Sequence, residues 1–269
     1  MVSRLRLSVF VGISAASDGC AAAPPHYAAR VQFDAVILSG GRSSRLGGEP
    51  KAALVLLGHS LLELAVSAAG QARNIVVVGD KPGSSFAPPE SQLPLSAPSE
   101  LSASPASQAS PGSTVPAVTF VREEPKFGGP AAAIAAGLSA LTAINADHRM
   151  PAPEFTLVLA CDMPHAAPAI AALVDAAVAA PAGVDGVIAR DGSGRDQYLL
   201  ALYRSDALQA AAAVQQTKGG VDGLSARQLV ADLNLVSVRV PSGTTDDIDT
   251  WDDARRLGVS HSSLPGASY

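Results

Sequence analysis

The sequence predicts an α/β protein: a doubly wound, mostly parallel sheet with helices on both faces. Three observations carry that expectation. Short apolar runs alternate with helical stretches along most of the chain, the order that a parallel sheet with crossover helices requires. The first run, Ala35–Leu38, breaks off into Ser39-Gly40-Gly41, as a buried strand does where it feeds a ligand-binding turn. Setting aside an N-terminal stretch and a Pro/Ser-rich insertion leaves roughly 200 residues, a usual size for one such domain.

In order, Ala35–Leu38 is the first strand. Leu61–Ala69 is a helix, with Leu61, Leu62, Ala65 and Ala68 on one face. Ile75–Val78 is the second strand, closed by Gly79-Asp80. Residues 82–117 break the pattern: eight Pro, ten Ser and only two charges cannot bury enough apolar surface to offset ordering, so a disordered insertion is expected. Val118–Val121 resumes as a strand. Pro125–Pro130 is a glycine-bearing loop that opens a small-residue helix, Ala131–Leu141, whose alanines permit close packing on the sheet. Thr156–Ala160 is apolar throughout and therefore central. Ile170–Ala180 is a helix. Gly186–Ala189 and Leu199–Tyr203 are strands on either side of the polar turn Arg190–Gln197. Helical stretches over Ser205–Ala213 and Ser225–Leu233 precede a late strand, Leu235–Val240. Thr250 caps a terminal helix, with Asp253 at the box position and Arg255 and Arg256 near its end. No internal repeat is present. The domain is expected over residues 33–258, with a disordered extension at 1–32 and a disordered tail at 259–269.

Composition narrows the function. Of 269 residues, 48% are hydrophobic but only 4% aromatic, so Ala, Val and Leu must fill a sizeable core. A net charge of −5 argues against nucleic acid or an anionic membrane as the main partner. No run approaches the ~18 apolar residues of a membrane span. Cys20 and Cys161 lie far apart without a CxxC, and the five histidines show no metal-ligand spacing. Arg4 and Arg6 precede a short apolar run, Leu7–Ala16, a faint likeness to a signal peptide. Asp18 sits badly near a cleavage site, so a disordered extension or an early start is preferred, and the location expected is cytoplasmic.

The stretch Asp34–Lys51 carries the chemistry. Leu38, Ser39, Gly40 and Gly41 are followed by Arg42, Arg45, Gly47, Gly48 and Lys51. Glycines let backbone approach phosphate oxygens, exposed N–H groups point at them, and fixed cations neutralise them. The pattern is L-x-G-G-x-x-x-R-x-G-x-x-x-K. It is neither a Walker A loop, since Lys51 precedes Ala52, nor a G-x-G-x-x-G turn. An ordinary βα turn with surface cations is the bland alternative. Asp162, just past a central strand and before Met163-Pro164, lies where open α/β sheets bind ligands. It reads as a Mg²⁺ ligand or as a cap of the following helix. In Asp247-Ile248-Asp249-Thr250 the two acids are expected to point to opposite faces, with Asp249 preferred as the one that reaches a metal. Helix-start acids favoured by the macrodipole are the alternative.

Five segments in this order resemble the MobA-like nucleotidyltransferases, and among them the molybdenum cofactor guanylyltransferases: LSGGRSSRLGGEPKAAL, VREEPKFGGPAAAIAAGL, LVLACDMP, GRDQYLLALY and DIDTWDDARRL. The resemblance implies a Rossmann-like nucleotide-diphospho-sugar transferase architecture and Mg²⁺-dependent transfer of GMP from GTP to a phosphorylated pterin-type acceptor. It implies that Leu38, Ser39, Gly40 and Gly41 hold base and phosphates, that Arg45 and Lys51 bind the triphosphate, and that Gly79 and Glu123 lie by the base. It further implies that Asp162 and Asp249 hold Mg²⁺, with Arg45, Lys51 and Asp162 the catalytic set, and that Arg195 and Asp196 meet the acceptor. Contact with other cofactor-biosynthesis proteins or apo-enzymes would accompany that role.

Some positions depart from the guanylyltransferase pattern: Pro50 stands for a usual Asp, Gly79 for Asn and Glu123 for Asp. Pro-Lys is common in related cytidylyltransferases and sugar-phosphate enzymes. A CTP-dependent enzyme, a 2-phospholactate or sugar-phosphate enzyme, a glycosyltransferase reading of Asp247-Ile248-Asp249, and a non-catalytic nucleotide-binding assembly protein are the alternatives.

Overall fold

The computed structural model describes residues 31–41, 46–47, 50–81 and 116–260. Residues 1–30 of the expected extension, 82–115 of the insertion, Arg45 and residues 261–269 of the expected tail lie outside these residues.

The strands that the apolar runs predict form one seven-stranded sheet. In chain order they are β1 (Phe33–Leu38), β4 (Asn74–Val78), β5 (Ala117–Val121), β6 (Phe155–Ala160), β7 (Gly186–Arg190), β8 (Asp196–Arg204) and β9 (Leu235–Arg239). The lateral order is β5-β4-β1-β6-β8-β7-β9. The first four named in that order run parallel, β8 is antiparallel to both its neighbours, and β9 is parallel to β7. β1 is buried along its whole length because it has helices on both faces and a parallel strand on each side.

Alternation along β1 sorts its side chains between two cores. Ile37 packs with α1 (Leu61–Ala68) and α3 (Ala167–Ala179). Val36 packs on the other face with α2 (Pro130–Asp147), α4 (Ser205–Lys218) and α5 (Ala226–Leu229). The expected close approach of the small-residue helix is real. A Cβ built on Gly137 of α2 would fall 2.5 Å from Val36 Cγ1, so only glycine fits that crossing.

Register then fixes the site. Leu38 is level with Val78 and with Ala160, and Val78 with Val121, so four parallel strands end at one edge. Ser39, Gly79, Glu123 and Asp162 follow those ends. The turn between β7 and β8 lies at the same edge, because β7 runs parallel to β6.

Several boundaries move. α2 extends to Asp147, and the helix expected over 225–233 shortens to α5. β8 starts at Asp196, so the polar turn covers only 191–195. A small second sheet is present that no pattern in the sequence predicts. β2 (Val55–Leu56) pairs with β3 (His59–Ser60) and with β10 (Val259–Ser260), so the last two described residues belong to the fold and not to a disordered tail. Ala117 likewise belongs to β5. Between the small sheet and α6 (Trp251–Arg256) lies a third core: Leu46, Leu54, Leu56, Leu61, Ile248, Ala254 and Val259. The box at Thr250 and Asp253 forms as expected.

A buried polar cluster closes the opposite edge. Asp34 is 1% exposed and accepts from Asn74 Nδ2 at 3.0 Å and Asn145 Nδ2 at 2.9 Å, with Arg73 Nε at 3.5 Å. It ties β1 and β4 to the C-terminal end of α2.

Candidate functional site

β1 and β4 end in a tight junction. Ser39 N–H donates to the Val78 carbonyl at 2.9 Å and Gly79 N–H to the Val121 carbonyl at 2.9 Å. Ser39 Oγ also donates to the Val78 carbonyl, at 3.2 Å. A Cβ on Gly79 would come 2.3 Å from Ser39 Oγ, and its φ of +151° also favours glycine. The serine hydroxyl thus fills the space that a side chain at 79 would need.

Glu123 follows β5 and turns toward the glycine loop. Its Oε1 would lie 3.7 Å from a Cβ built on Gly40, which is ordinary van der Waals contact. The same oxygen accepts from Phe127 N–H at 3.2 Å. Around it, Asp80 pairs with Arg122 at 2.9 Å and with Lys126 at 2.8 Å on the surface.

The far end of the loop is pinned by an apolar anchor. Leu46, 1% exposed, inserts into the third core. Pro50 then leads into a short 3-10 turn, Lys51–Ala53. From it Lys51 reaches across the edge, where its Nζ lies 2.9 Å from Asp162 Oδ2 and 2.5 Å from Asp249 Oδ1. Burial alone would lower the pKa of this ammonium. The charges and hydrogen bonds of Asp162 and Asp249 outweigh that and hold it above its ordinary value.

The two acids at 247 and 249 do not face opposite ways. Residues two apart in an extended segment share a face, and it is the intervening Ile248 that turns away, fully buried in the third core. Partial burial, then the negative charges of Asp249 and Asp162, raise the Asp247 pKa. Two carboxylates therefore contact one ammonium, and Asp247 adds a further negative charge beside them. Asp162 does not cap the next helix; Ala166 is the residue before α3.

Among the described residues no group of three or more His, Cys, Asp or Glu side chains is placed to hold a metal ion by itself. Asp162 and Asp249 nonetheless converge on one cation position, held here by Lys51. Mg²⁺ is commonly bound through one or two carboxylates with substrate phosphates completing the shell, so this oxygen pair fits such an ion.

At the turn after β7 the predicted acceptor pair separates. Arg195 is exposed at the turn. Asp196 accepts from Arg190 Nε at 2.8 Å and Nη2 at 3.2 Å, and Ser237 Oγ lies 2.8 Å from its Oδ1. This fork fixes Arg190, a residue that spacing did not single out. Asp191 accepts from Ser193 Oγ and N–H and from Arg195 N–H, and Ser193 leads the interactions that hold its carboxyl down at about 2. Cys161, buried beside Asp162, has its thiol pushed far up by burial and then by the Asp162 charge, so it stays protonated.

The sequence matches the MobA-like NTP transferase domain family over residues 35–234. No curated protein matches the chain. Among solved structures, molybdopterin-guanine dinucleotide biosynthesis protein A from Archaeoglobus fulgidus superposes with a TM-score of 0.51 at 19% identity, covering 84% of this chain and 96% of that one. The 2-C-methyl-D-erythritol 4-phosphate cytidylyltransferase from Thermus thermophilus gives 0.51 at 17%, over 84% and 97%. The 4-diphosphocytidyl-2C-methyl-D-erythritol synthase from Anaerococcus prevotii gives 0.53 at 14%, over 84% and 94%. At these identities the likeness is one of fold, a mostly parallel sheet of Rossmann-like nucleotidyltransferases, and the family match carries the assignment: the chain belongs to the MobA-like NTP transferase domain family and is a nucleotidyltransferase.

Proposed function

We propose that the protein transfers GMP from GTP to a phosphorylated pterin-type acceptor, molybdopterin in the first instance, with release of pyrophosphate. The observation that carries the choice of nucleotide is the Glu123 carboxylate over Gly40. Oε1 is shared with Phe127 N–H, and lone pairs remain to accept from N1–H and the exocyclic amine of guanine. The choice of acceptor rests on the five-segment resemblance and on the likeness to the Archaeoglobus fulgidus protein, named for molybdopterin-guanine dinucleotide biosynthesis.

The chemistry follows from the edge. An acceptor phosphate oxygen, ionised at neutral pH, forms a bond to the α-phosphorus in line. The bond from that phosphorus to the α–β bridging oxygen breaks, and its electron pair leaves with pyrophosphate. No general base is needed, so positioning and charge neutralisation carry the rate. The Ser39 amide is spent on Val78, so it is the amides of Gly40 and Gly41 that approach the phosphates, and Arg45 is assigned to them with Lys51. On nucleotide binding the Lys51 ammonium exchanges a carboxylate for phosphate oxygens. Asp162 and Asp249 would hold Mg²⁺, which supplies Lewis-acid neutralisation of the triphosphate when bound. Arg190, fixed by Asp196, and Arg195 from the adjoining turn are assigned to the acceptor.

Pro50 before Lys51 favours a second reading, a cytidylyltransferase with the same loop and carboxylates. Pyrophosphate release measured with each NTP against a panel of phosphorylated acceptors, molybdopterin included, separates the two. GTP with molybdopterin is expected to turn over fastest. Faster turnover with CTP would replace the first reading by the second, and no release with any pair would favour a non-catalytic binding protein.

A further inference from the structure

The segment after α4 is rich in glycine, and three of its glycines take left-handed φ: Gly219 at +132°, Gly220 at +104° and Gly223 at +74°. It is held from below, with Val221 buried in the second core and Leu224 packed against it. Its upper side lies on the loop that follows Glu123. Gly223 N–H donates to the Gly128 carbonyl at 2.7 Å, and Ala131 N–H, in the first turn of α2, donates to the Leu224 carbonyl at 3.2 Å. A free N–H at that helix start is thus spent on protein and not on ligand.

The contact leaves no room at Gly128. A Cβ there would meet Ala132 Cβ at 2.9 Å, Asp222 Oδ1 at 3.0 Å and the Pro125 carbonyl at 3.2 Å. Next to it Phe127 is held at φ +67°, a conformation that bulky residues rarely adopt unless their surroundings impose it. That φ sets how the Phe127 N–H, which donates to Glu123 Oε1, is oriented relative to Gly128 and the residues after it. The chain of contacts therefore runs from Gly223 to Gly128, from Phe127 to Glu123, and from Glu123 to Gly40.

We infer that residues 221–224 form a strap that sets the orientation of Glu123 through Gly128 and Phe127, making Gly128 and Gly223 positioning residues for nucleotide choice. This rests on the reading of Glu123 as the base-facing acid. The strap lies about a hundred residues downstream of that acid in the chain, and it touches the loop through backbone, so its effect on selectivity needs no side chain in the pocket.

The test is direct binding of GTP and of CTP, with Mg²⁺ and without acceptor, by titration calorimetry on the full chain. Wild type is expected to favour GTP by about tenfold, the scale of one good bidentate contact. Gly128→Ala should reduce that ratio to about twofold or less, chiefly by weakening GTP. Gly128→Ala with Ala132→Gly reopens the tightest contact and should restore the ratio. Gly223→Ala, strained at its φ, should act in the same direction from the other end. Glu123→Gln serves as the control. If it leaves the GTP:CTP ratio unchanged, the base-facing reading fails and the strap inference fails with it. If Glu123→Gln lowers the ratio while folded Gly128→Ala and Gly223→Ala both keep it, only the strap is overturned. Should Gly128→Ala not fold, Gly223→Ala decides between these outcomes.

Discussion

The Lys51 ammonium and the Asp162 carboxylate meet at 2.9 Å although 111 residues separate them in the chain. Asp249 closes on the same nitrogen from 198 residues away. One cation thus stands where two acids converge, and the behaviour of the site turns on what replaces it.

Asp162→Asn is expected to lower turnover by roughly 10³-fold while leaving the melting curve in place, because it removes charge at a partly buried strand end and no packing. Asp249→Asn should be milder, since an amide oxygen still coordinates. Steady-state pyrophosphate release checks both, and near-normal activity of Asp162→Asn at saturating Mg²⁺ would remove Asp162 from the metal site.

Lys51→Met takes away the ammonium and leaves the carboxylates facing each other. Without nucleotide, Mg²⁺ should raise the melting temperature of this variant by about 3–5 °C and that of wild type by much less, because binding to the native state stabilises it. Thermal unfolding with and without Mg²⁺ reads the difference. Equal shifts would show that the two cations do not share a position.

Asp34→Ala should destabilise the fold by about 3 kcal/mol, since it strands Arg73 and two buried amides that converge on that carboxylate. Turnover at a permissive temperature should persist, because Asp34 lies at the edge of the sheet opposite the glycine loop. Chemical denaturation alongside the activity assay tests the separation.

The Asp191 carboxyl should titrate near its depressed value of about 2 by carbon-detected NMR. With the folded pKa below the unfolded 3.8, its contribution is present above 3.8 and is lost as pH falls toward 2. Ser193→Ala should move the midpoint upward. A wild-type midpoint at 3.8 would contradict the hydrogen-bonded turn.

In a Cys20→Ser background, Cys161 should resist disulfide reagents at about pH 8 until the protein unfolds, because only thiolate reacts and burial keeps this thiol protonated. Rapid labelling of the native protein would place Cys161 at the surface.

What was legible in the sequence follows from what leaves a local trace. β1, β4 and β6 are apolar runs that end in Gly or Asp, and both the runs and their ends stand where the pattern puts them. Glu123, Gly40 and Gly79 come together at one edge because parallel register brings strand ends level. β2, β3 and β10 left no trace, since two residues carry no period. The start of β8 reads as polar because Asp196 is spent on Arg190 and Ser237. Leu46 is one apolar residue in a glycine-rich loop, and only the third core shows why it is there. The misread pair, Asp247 and Asp249, was open to correction from the alternation of strand side chains alone, with Ile248 as the clue.

The third core has a consequence for how the protein is made. Leu46, Leu54 and Leu61 precede β4 in the chain, and Ile248, Ala254 and Val259 follow β9. During synthesis the central strands can pair while the ribosome is still extending the chain, but Ile248, which shares the third core with Leu46, and Asp249, which contacts Lys51, emerge after all seven of them. Nucleotide affinity should therefore arrive late and abruptly, once the segment from Ile248 to Val259 has left the exit tunnel, and a stalled nascent chain ending before Ile248 should lack it.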